Sequence, residues 1–351
     1  MGDVRWEAYP HVAAVETART WLQMQAHVRL APKTIAAYGE SLDDYLAFCL
    51  RCDIPAAVAT RAQVAAYVHE LTTRPSARPH GVLLSGTPVG LANATIQLRL
   101  TVARLYHDYL VETHVRPDNP VGRGRYTPGN AFGGKRDRGL LARYHKLPWI
   151  PSDEQWRALL RAACAESLRT RLLLLLAYEG ALRRAEVVGL RLDDLDVAFR
   201  QVRVRAETAK NGRERIVFYT EHTGRLLAAY LDHRRALSPV PGPLFLSESR
   251  RNRGQPLSPF MWSKSVAHLA ARASVPQFTT HTPRHLRLTH LARAGLDLHQ
   301  IATYAGHRSV QTTLLYIHLS GVELAEAVAT GMADLDHWVA AVLESQGEDH
   351  R

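Results

Sequence analysis

The sequence predicts a mainly α-helical chain with one small antiparallel β-sheet. Three observations predict it. Apolar residues recur at helical spacing over most of the chain. Two short stretches, 201–205 and 215–219, instead alternate apolar and polar residues, with the turn pair Asn211-Gly212 between them. A basic, glycine-rich stretch over 116–150 separates a helical N-terminal part from a longer C-terminal part. The domains expected are therefore 1–115, a flexible linker over 116–150, and 151–351.

The elements follow in order. Pro32 suits a first helical position, since its fixed φ fits there and its missing N–H has no partner to lose. Ile35, Tyr38, Leu42, Tyr45, Leu46 and Cys49 then recur on one face. Thr60 is placed to cap a helix carrying Val64, Tyr67, Val68 and Leu71. Residues 75–90 are rich in proline and glycine and read as a loop. A longer helix follows with Ile96, Leu98, Val102, Leu105, Tyr106 and Tyr109. Helices with short links make a small bundle, with Lys33, Arg61, Arg99, Arg104 and His107 expected on its exposed faces.

In the C-terminal part, Ser152 and Gln155 have capping-box spacing, and Trp156, Leu159, Leu160 and Ala163 share a face. The run Leu172 to Leu176 reads as a buried core helix that ends near Gly180. Ser258-Pro259 and Thr282-Pro283 each read as a cap followed by a first-turn proline. Gly306 is placed to end a short helix, and another helix begins near Ser309. Beyond Gly321 the spacing of Leu324, Val328, Met332, Leu335, Trp338, Val339 and Leu343 is again helical.

Composition narrows the partners. The formal net charge is +11 and the pI about 9.8, which favours a polyanion, nucleic acid first among them. No apolar run approaches the roughly 20 residues that span a bilayer, and the N-terminus lacks a secretory apolar region, so neither membrane nor export is expected. Cys49, Cys52 and Cys164 are the only cysteines. A lone Cys-x-x-Cys without a second pair makes no zinc site, and the usage fits a reducing cytosol. No metal or other cofactor is expected.

The chemistry-bearing residues lie late in the chain. His281 and Arg284 stand three apart at the start of a predicted helix, where unpaired backbone donors and the positive dipole end also favour an anion. His307 follows Gly306, and Tyr316 follows in the stretch 312–318. Arg183 lies about a hundred residues upstream, in Gly-Ala-Leu-Arg. Guanidinium groups are planar and permanently charged, and they hold phosphate oxygens with paired hydrogen bonds. A phenol can attack phosphorus and stay joined to it as an ester.

This ordered set resembles the tyrosine recombinase, or phage integrase, family. That family reads approximately His-x-Leu-Arg-His-Thr, then Leu-Gly-His, then Thr-Thr-x-x-Tyr-x-His. Here the matching stretches are His281-Thr-Pro-Arg284-His285-Leu, Ala305-Gly306-His307 and Thr312-Thr313-Leu-Leu-Tyr316-Ile-His318. Three departures stand out: Gly180-Ala181-Leu182-Arg183 replaces Thr-Gly-Leu-Arg, Ala185 replaces a serine, and Pro283 replaces a leucine.

The resemblance implies a helical, SAM-like core-binding domain followed by a catalytic domain. Arg183 and Arg284 would hold the phosphate, with Glu186 positioning Arg183. Lys210 would protonate the leaving 5′ hydroxyl, His281 would act as general base or acid, His307 would bind phosphate, and Tyr316 would be the nucleophile. It implies double-stranded DNA with specific recombination sites as partner, gripped on opposite faces by the two domains. It further implies a homotetramer on DNA, a Holliday-junction intermediate, and roles in integration, excision, resolution or transposition; the C-terminal helical tail either docks on a neighbouring protomer, as in the family, or covers its own core. A bacterial or mobile-element protein of the cytoplasm and nucleoid is expected. Lys33, Arg99, Arg104, Arg136 and Arg138 are candidate DNA contacts. Three alternatives stay open: a type IB topoisomerase-like enzyme, a non-catalytic DNA-binding regulator, and a metal hydrolase built on the many late histidines.

Overall fold

The computed structural model describes residues 4–28, 30–74, 90–122, 126–127, 135–136, 140–141, 147–320, 332 and 337–338. Two compact units emerge, Met1–His145 and Lys146–Arg351.

The first unit is a helical bundle. Its described helices are α1 (Pro10–Ala14), α2 (Glu16–His27), α3 (Pro32–Arg51), α4 (Arg61–Thr73) and α5 (Asn93–Glu112). Pro32 opens α3 as its pattern requires, and Leu42, Tyr45, Leu46 and Cys49 are buried from it. Thr60 caps α4 in a reciprocal capping box with Gln63. Trp21, Tyr45, Tyr67 and Tyr106 fill the centre, fully buried. Asp44 accepts hydrogen bonds from the Tyr67 hydroxyl at 2.6 Å, from Arg74 at 2.5 Å and from Arg99 at 2.6 Å.

Several residues differ from expectation. Leu98 is 41% exposed. It sits two positions from Ile96, about 200° around the helix, and the buried stripe runs instead through Leu100, Ala103 and Leu110. His107 is wholly buried rather than exposed, because Tyr45 and Arg116 both bond its ring at 3.0 Å. Arg116, expected in the linker, also donates to the Ala59 carbonyl at 3.2 Å and so belongs to the bundle. Within the expected linker, β1 (Tyr126–Thr127) pairs antiparallel with β2 (Lys135–Arg136). The loop expected over 75–90 falls outside the described residues except for Gly90. Arg138, the Arg136 side chain and all but isolated residues of the C-terminal helical tail also lie outside them.

The second unit holds α6 (Asp153–Cys164), α7 (Leu168–Glu179), α8 (Arg184–Val188), β3 (Leu195–Asp196), β4 (Gln201–Val204), β5 (Arg215–Phe218), α9 (Glu221–Leu237), α10 (Pro259–Arg272), α11 (Thr282–Arg293), α12 (Leu298–Ala305) and α13 (Gln311–Ser320). The sheet is antiparallel in the order β3-β4-β5, with Leu195 opposite Val202 and Val202 opposite Val217. Alternation works as the sequence implies: Val202, Val204 and Val217 point inward, while Arg203, Ile216 and Phe218 point out. Strand β3 has only two residues, too short to leave a period in the sequence. Helix α7 supplies the middle of the core through Leu172, Leu173, Leu174 and Leu176, and Gly180 ends it. Ser152 and Ser258 cap α6 and α10 as expected. Thr282 does not cap α11. His281 occupies the cap position, and the Thr282 hydroxyl accepts the Thr279 N–H at 2.9 Å instead.

A smaller apolar cluster lies apart from that core. It joins Ala181, Leu288, Ile301, Ala305 and Tyr316, from the end of α7 and from α11, α12 and α13. Among the described residues, no helix is long and apolar enough to cross a membrane.

Candidate active site

The site is built by turns at the ends of the second unit's helices. After Gly180 the chain enters the left-handed region at Ala181, with φ 46°. That turn swings the chain into α8, with Arg183 at its N-cap. One turn on, Glu186 accepts the Arg183 backbone N–H and one guanidinium N–H, both at 2.8 Å.

Glu186 also holds Arg215, the inward residue at the start of β5. Arg215 donates to both Glu186 carboxylate oxygens, at 3.2 and 2.7 Å, and its Nε–H to the Tyr304 carbonyl at 3.1 Å. The Glu186 side chain is fully buried. Burial alone would raise its pKa, but hydrogen bonds and charge from Arg215, with help from Arg183, hold it below the usual carboxylate range. One buried anion thus fixes two cations, and it stays ionised because both are present.

Arg284 lies one turn inside α11 and is buried. Its guanidinium donates to the Ala181 carbonyl at 2.5 Å and the Ala305 carbonyl at 2.6 Å. Those carbonyls sit at the ends of α7 and α12, where they lack helical partners. Burial, then the nearby Arg183, lowers its pKa to about 10, and the group remains cationic near neutrality.

Gly306 ends α12 in the left-handed conformation, φ 63° and ψ 46°. The His307 N–H then returns to the Ala302 carbonyl at 2.9 Å. The His307 ring is buried, and its Nδ1 lies 2.8 Å from the Thr313 hydroxyl. Burial and the charges of Arg284, Arg183 and Arg215 lower its pKa to about 3. Near neutrality it is an uncharged imidazole.

Tyr316 projects from α13 and is only 3% exposed. Its hydroxyl lies 2.8 Å from Nδ1 of His285, and its ring stacks on those of His285 and His307 at 5.8 and 6.0 Å. Burial raises its pKa, opposed by Arg284 and Arg183.

His281 stands at the more open rim. Partial burial, then the charges of Arg184, Arg284, Arg183 and Lys210, lower its pKa. The charge of Lys210, exposed in the β4–β5 loop, thus reaches the His281 ring. Arg213 is exposed in that loop, as Lys210 is, and Arg215 is committed to Glu186.

The structure thus brings Arg183, Glu186, Lys210, His281, Arg284, His307 and Tyr316 together. Lys33 is exposed in the other unit, whereas Arg99 is half-buried and paired with Asp44. Arg104 is half-buried, and its carbonyl accepts from Asn119 at 2.9 Å.

Sequence reasoning passed over three contributors. The charge of Arg184 reaches His281 while its guanidinium donates to the Ser263 hydroxyl at 3.0 Å. Arg215 carried one signal, a charged residue at an inward strand position. His285 stood in the quoted motif without a role. Among the described residues, no three His, Cys, Asp or Glu side chains converge as a metal site.

A family model described as the phage integrase family matches residues 151–322. A curated tyrosine recombinase, XerC from Pelotomaculum thermopropionicum, is 30% identical over 246 residues, covering 67% of this chain and 74% of the relative. The chain belongs to the tyrosine recombinase family. XerC from Haemophilus influenzae is 26% identical over 315 residues, 88% of this chain and 94% of that recombinase. Among solved structures, the XerH site-specific recombinase bound to a palindromic difH substrate, a post-cleavage complex, shares the fold. Its TM-score is 0.63 at 18% identity, covering 85% of this chain and 80% of that one. Tyrosine recombinases are DNA strand-exchange enzymes that use a tyrosine nucleophile, with no need for metal or ATP.

Proposed function

We propose that this chain is a site-specific recombinase that cuts and rejoins duplex DNA through an ester to Tyr316. The observation that carries this reading is the meeting, within one chain, of a tyrosine hydroxyl with several fixed cations. Tyr316 stacks between His285 and His307, and Arg284 and Arg183 are close enough to oppose the rise in its pKa.

In this reading Arg183 and Arg284 bind the non-bridging phosphate oxygens and stabilise the charge that spreads over them at the transition state. Neutral His307 donates a further hydrogen bond, and His281 contacts the phosphate from the rim. Tyr316 attacks phosphorus and leaves a 3′-phosphotyrosyl link. Lys210 protonates the departing 5′ oxygen. A 5′ hydroxyl from a partner duplex then attacks the ester, and two rounds of exchange pass through a Holliday junction. Four copies on two DNA sites supply the necessary active centres. The helical unit adds phosphate contacts, Lys33 among them, and the basic stretch over 116–150 adds more through counterion release.

The test is adduct trapping. Duplexes selected from a random-sequence pool for binding to the Tyr316→Phe protein, then nicked near the cleavage point, are incubated with wild type. A covalent protein–DNA band that survives boiling in detergent is expected from wild type and not from Tyr316→Phe. Failure of wild type to form any such band on DNA that it binds tightly would sink the proposal.

A further inference from the structure

The family resemblance gives roles to His281 and His307. Neither is the ring that hydrogen-bonds the Tyr316 hydroxyl. His307 directs Nδ1 at Thr313, and His281 stands at the exposed cap of α11. The ring at 2.8 Å is His285, one helical turn beyond His281 on the same helix. Its position is secured by the packing of α11 against α13, through Leu288 and Tyr316 in the small apolar cluster.

We propose that His285 is the base that takes the phenolic proton from Tyr316, which leaves His281 to the phosphate. This rests on the recombinase reading above. As the Tyr316 oxygen bonds phosphorus, its O–H bond breaks and the proton passes to His285 Nδ1. The bond from phosphorus to the 5′ oxygen breaks, and that oxygen is protonated from the other side by Lys210. On rejoining, the 5′ hydroxyl attacks phosphorus and gives its proton back to Lys210, the bond from phosphorus to the Tyr316 oxygen breaks, and His285 returns its proton to that oxygen.

The surroundings suit a neutral acceptor. His281 and Arg284 face the His285 ring from α11, His307 from the turn before α13, and Tyr316 from α13. Burial, then the first two of these, lowers its pKa to about 4, so one ring nitrogen is free to accept near neutrality. A bound phosphodiester brings negative charge beside the same cations and raises the basicity of the ring as the reaction begins. With Tyr316 only 3% exposed, bulk water is a poor competitor for the proton.

Two experiments test the assignment. The first uses wild-type protein without DNA. Nitrogen-15 spectra of labelled histidine report which ring nitrogen carries hydrogen. His285 is expected protonated on Nε2, with Nδ1 accepting. A proton on Nδ1, donated towards the tyrosine, would overturn the proposal.

The second measures single-turnover adduct formation on the selected nicked duplexes, with variants screened first for wild-type melting and DNA affinity. His285→Asn is expected to slow adduct formation about 100-fold. The slowing should persist when sulfur replaces the 5′ bridging oxygen, because that leaving group needs no acid. The Lys210→Ala defect should largely vanish on the same substrate. His285→Asn within about three-fold of wild type, or one restored by sulfur, would overturn the proposal while leaving the recombinase reading standing. No adduct from wild type at all would remove that reading, and this inference with it.

Discussion

Asn211 donates through Nδ2 to the Gly306 carbonyl at 3.1 Å. That bond ties the β4–β5 loop, which carries Lys210, to the turn that presents His307. Gly212 makes the loop's tight return possible, with φ 63° and its N–H on the Ala209 carbonyl at 2.9 Å. A neutral hydrogen bond of this kind is worth about 1 kcal/mol net. Asn211→Ala is therefore expected to slow single-turnover adduct formation roughly five-fold, with DNA affinity unchanged. A wild-type rate would show that the loop is held by other contacts.

Glu186 sits unexposed between Arg183 and Arg215. Glu186→Gln preserves shape and removes the charge that both guanidiniums share. Breaking a buried pair of this kind costs about 3–5 kcal/mol. Urea unfolding should show a loss of that order, and adduct formation should fall at least about 100-fold as Arg183 loses its anchor. Stability within about 1 kcal/mol of wild type would refute the shared-anion picture.

Two left-handed turns respond in opposite senses. Gly306→Ala places a Cβ at φ 63°, 3.1 Å from the Arg215 side chain, and should lose about 1–2 kcal/mol of stability. Ala181 already bears that strain at φ 46°, where the family resemblance has glycine. Ala181→Gly relieves strain but gains unfolded-state entropy, so a net change of about 0–1 kcal/mol towards stability is expected. Paired denaturation curves read both, and a stabilising Gly306→Ala would contradict the geometry.

Acid should destabilise the protein through its buried histidines. His107 and His307 have pKa values lowered to about 3 and His285 to about 4, against roughly 6.5 unfolded. Between those limits the unfolded chain binds more protons than the folded one, so stability rises with pH there. It is complete above about pH 6.5 and is lost as pH falls towards the folded values. By pH 5 each group costs about 2 kcal/mol, an order-of-magnitude figure. Melting temperatures at pH 7.5 and pH 5 should differ less in His107→Gln than in wild type, whatever the variant's baseline.

Arg284→Lys should be nearly as damaging as Arg284→Ala. A single ammonium cannot bridge the Ala181 and Ala305 carbonyls and still present a planar face to phosphate. The expected result is adduct formation below detection with DNA affinity within a few-fold of wild type. Robust cleavage by the lysine variant would mean that charge alone suffices at this position.

Much of this was legible in the chain because the signals were local. Pro32, Thr60, Ser152, Ser258 and Gly306 act within a turn of themselves, and all stand at the helix ends that their chemistry dictates. The two alternating stretches formed their strands for the same reason. What was missed depends on distant partners. Arg215 and Glu186 are separated by 29 residues, and His285 and Tyr316 by 31. No periodicity encodes such pairs, so an inward arginine and a second motif histidine looked incidental. His107 misled for a related reason: an ionisable residue on a helix reads as solvated until Arg116 and Tyr45 arrive from elsewhere to satisfy it.

The packing of α13 on α11 sets a rule for mixed assemblies. Because the Tyr316 hydroxyl lies against a histidine of its own polypeptide, the proposed chemistry leaves a subunit crippled at Tyr316 and another crippled at Arg183 no means of lending each other the missing half. Blending the two inert proteins on one DNA should give a complex that is as dead as either parent.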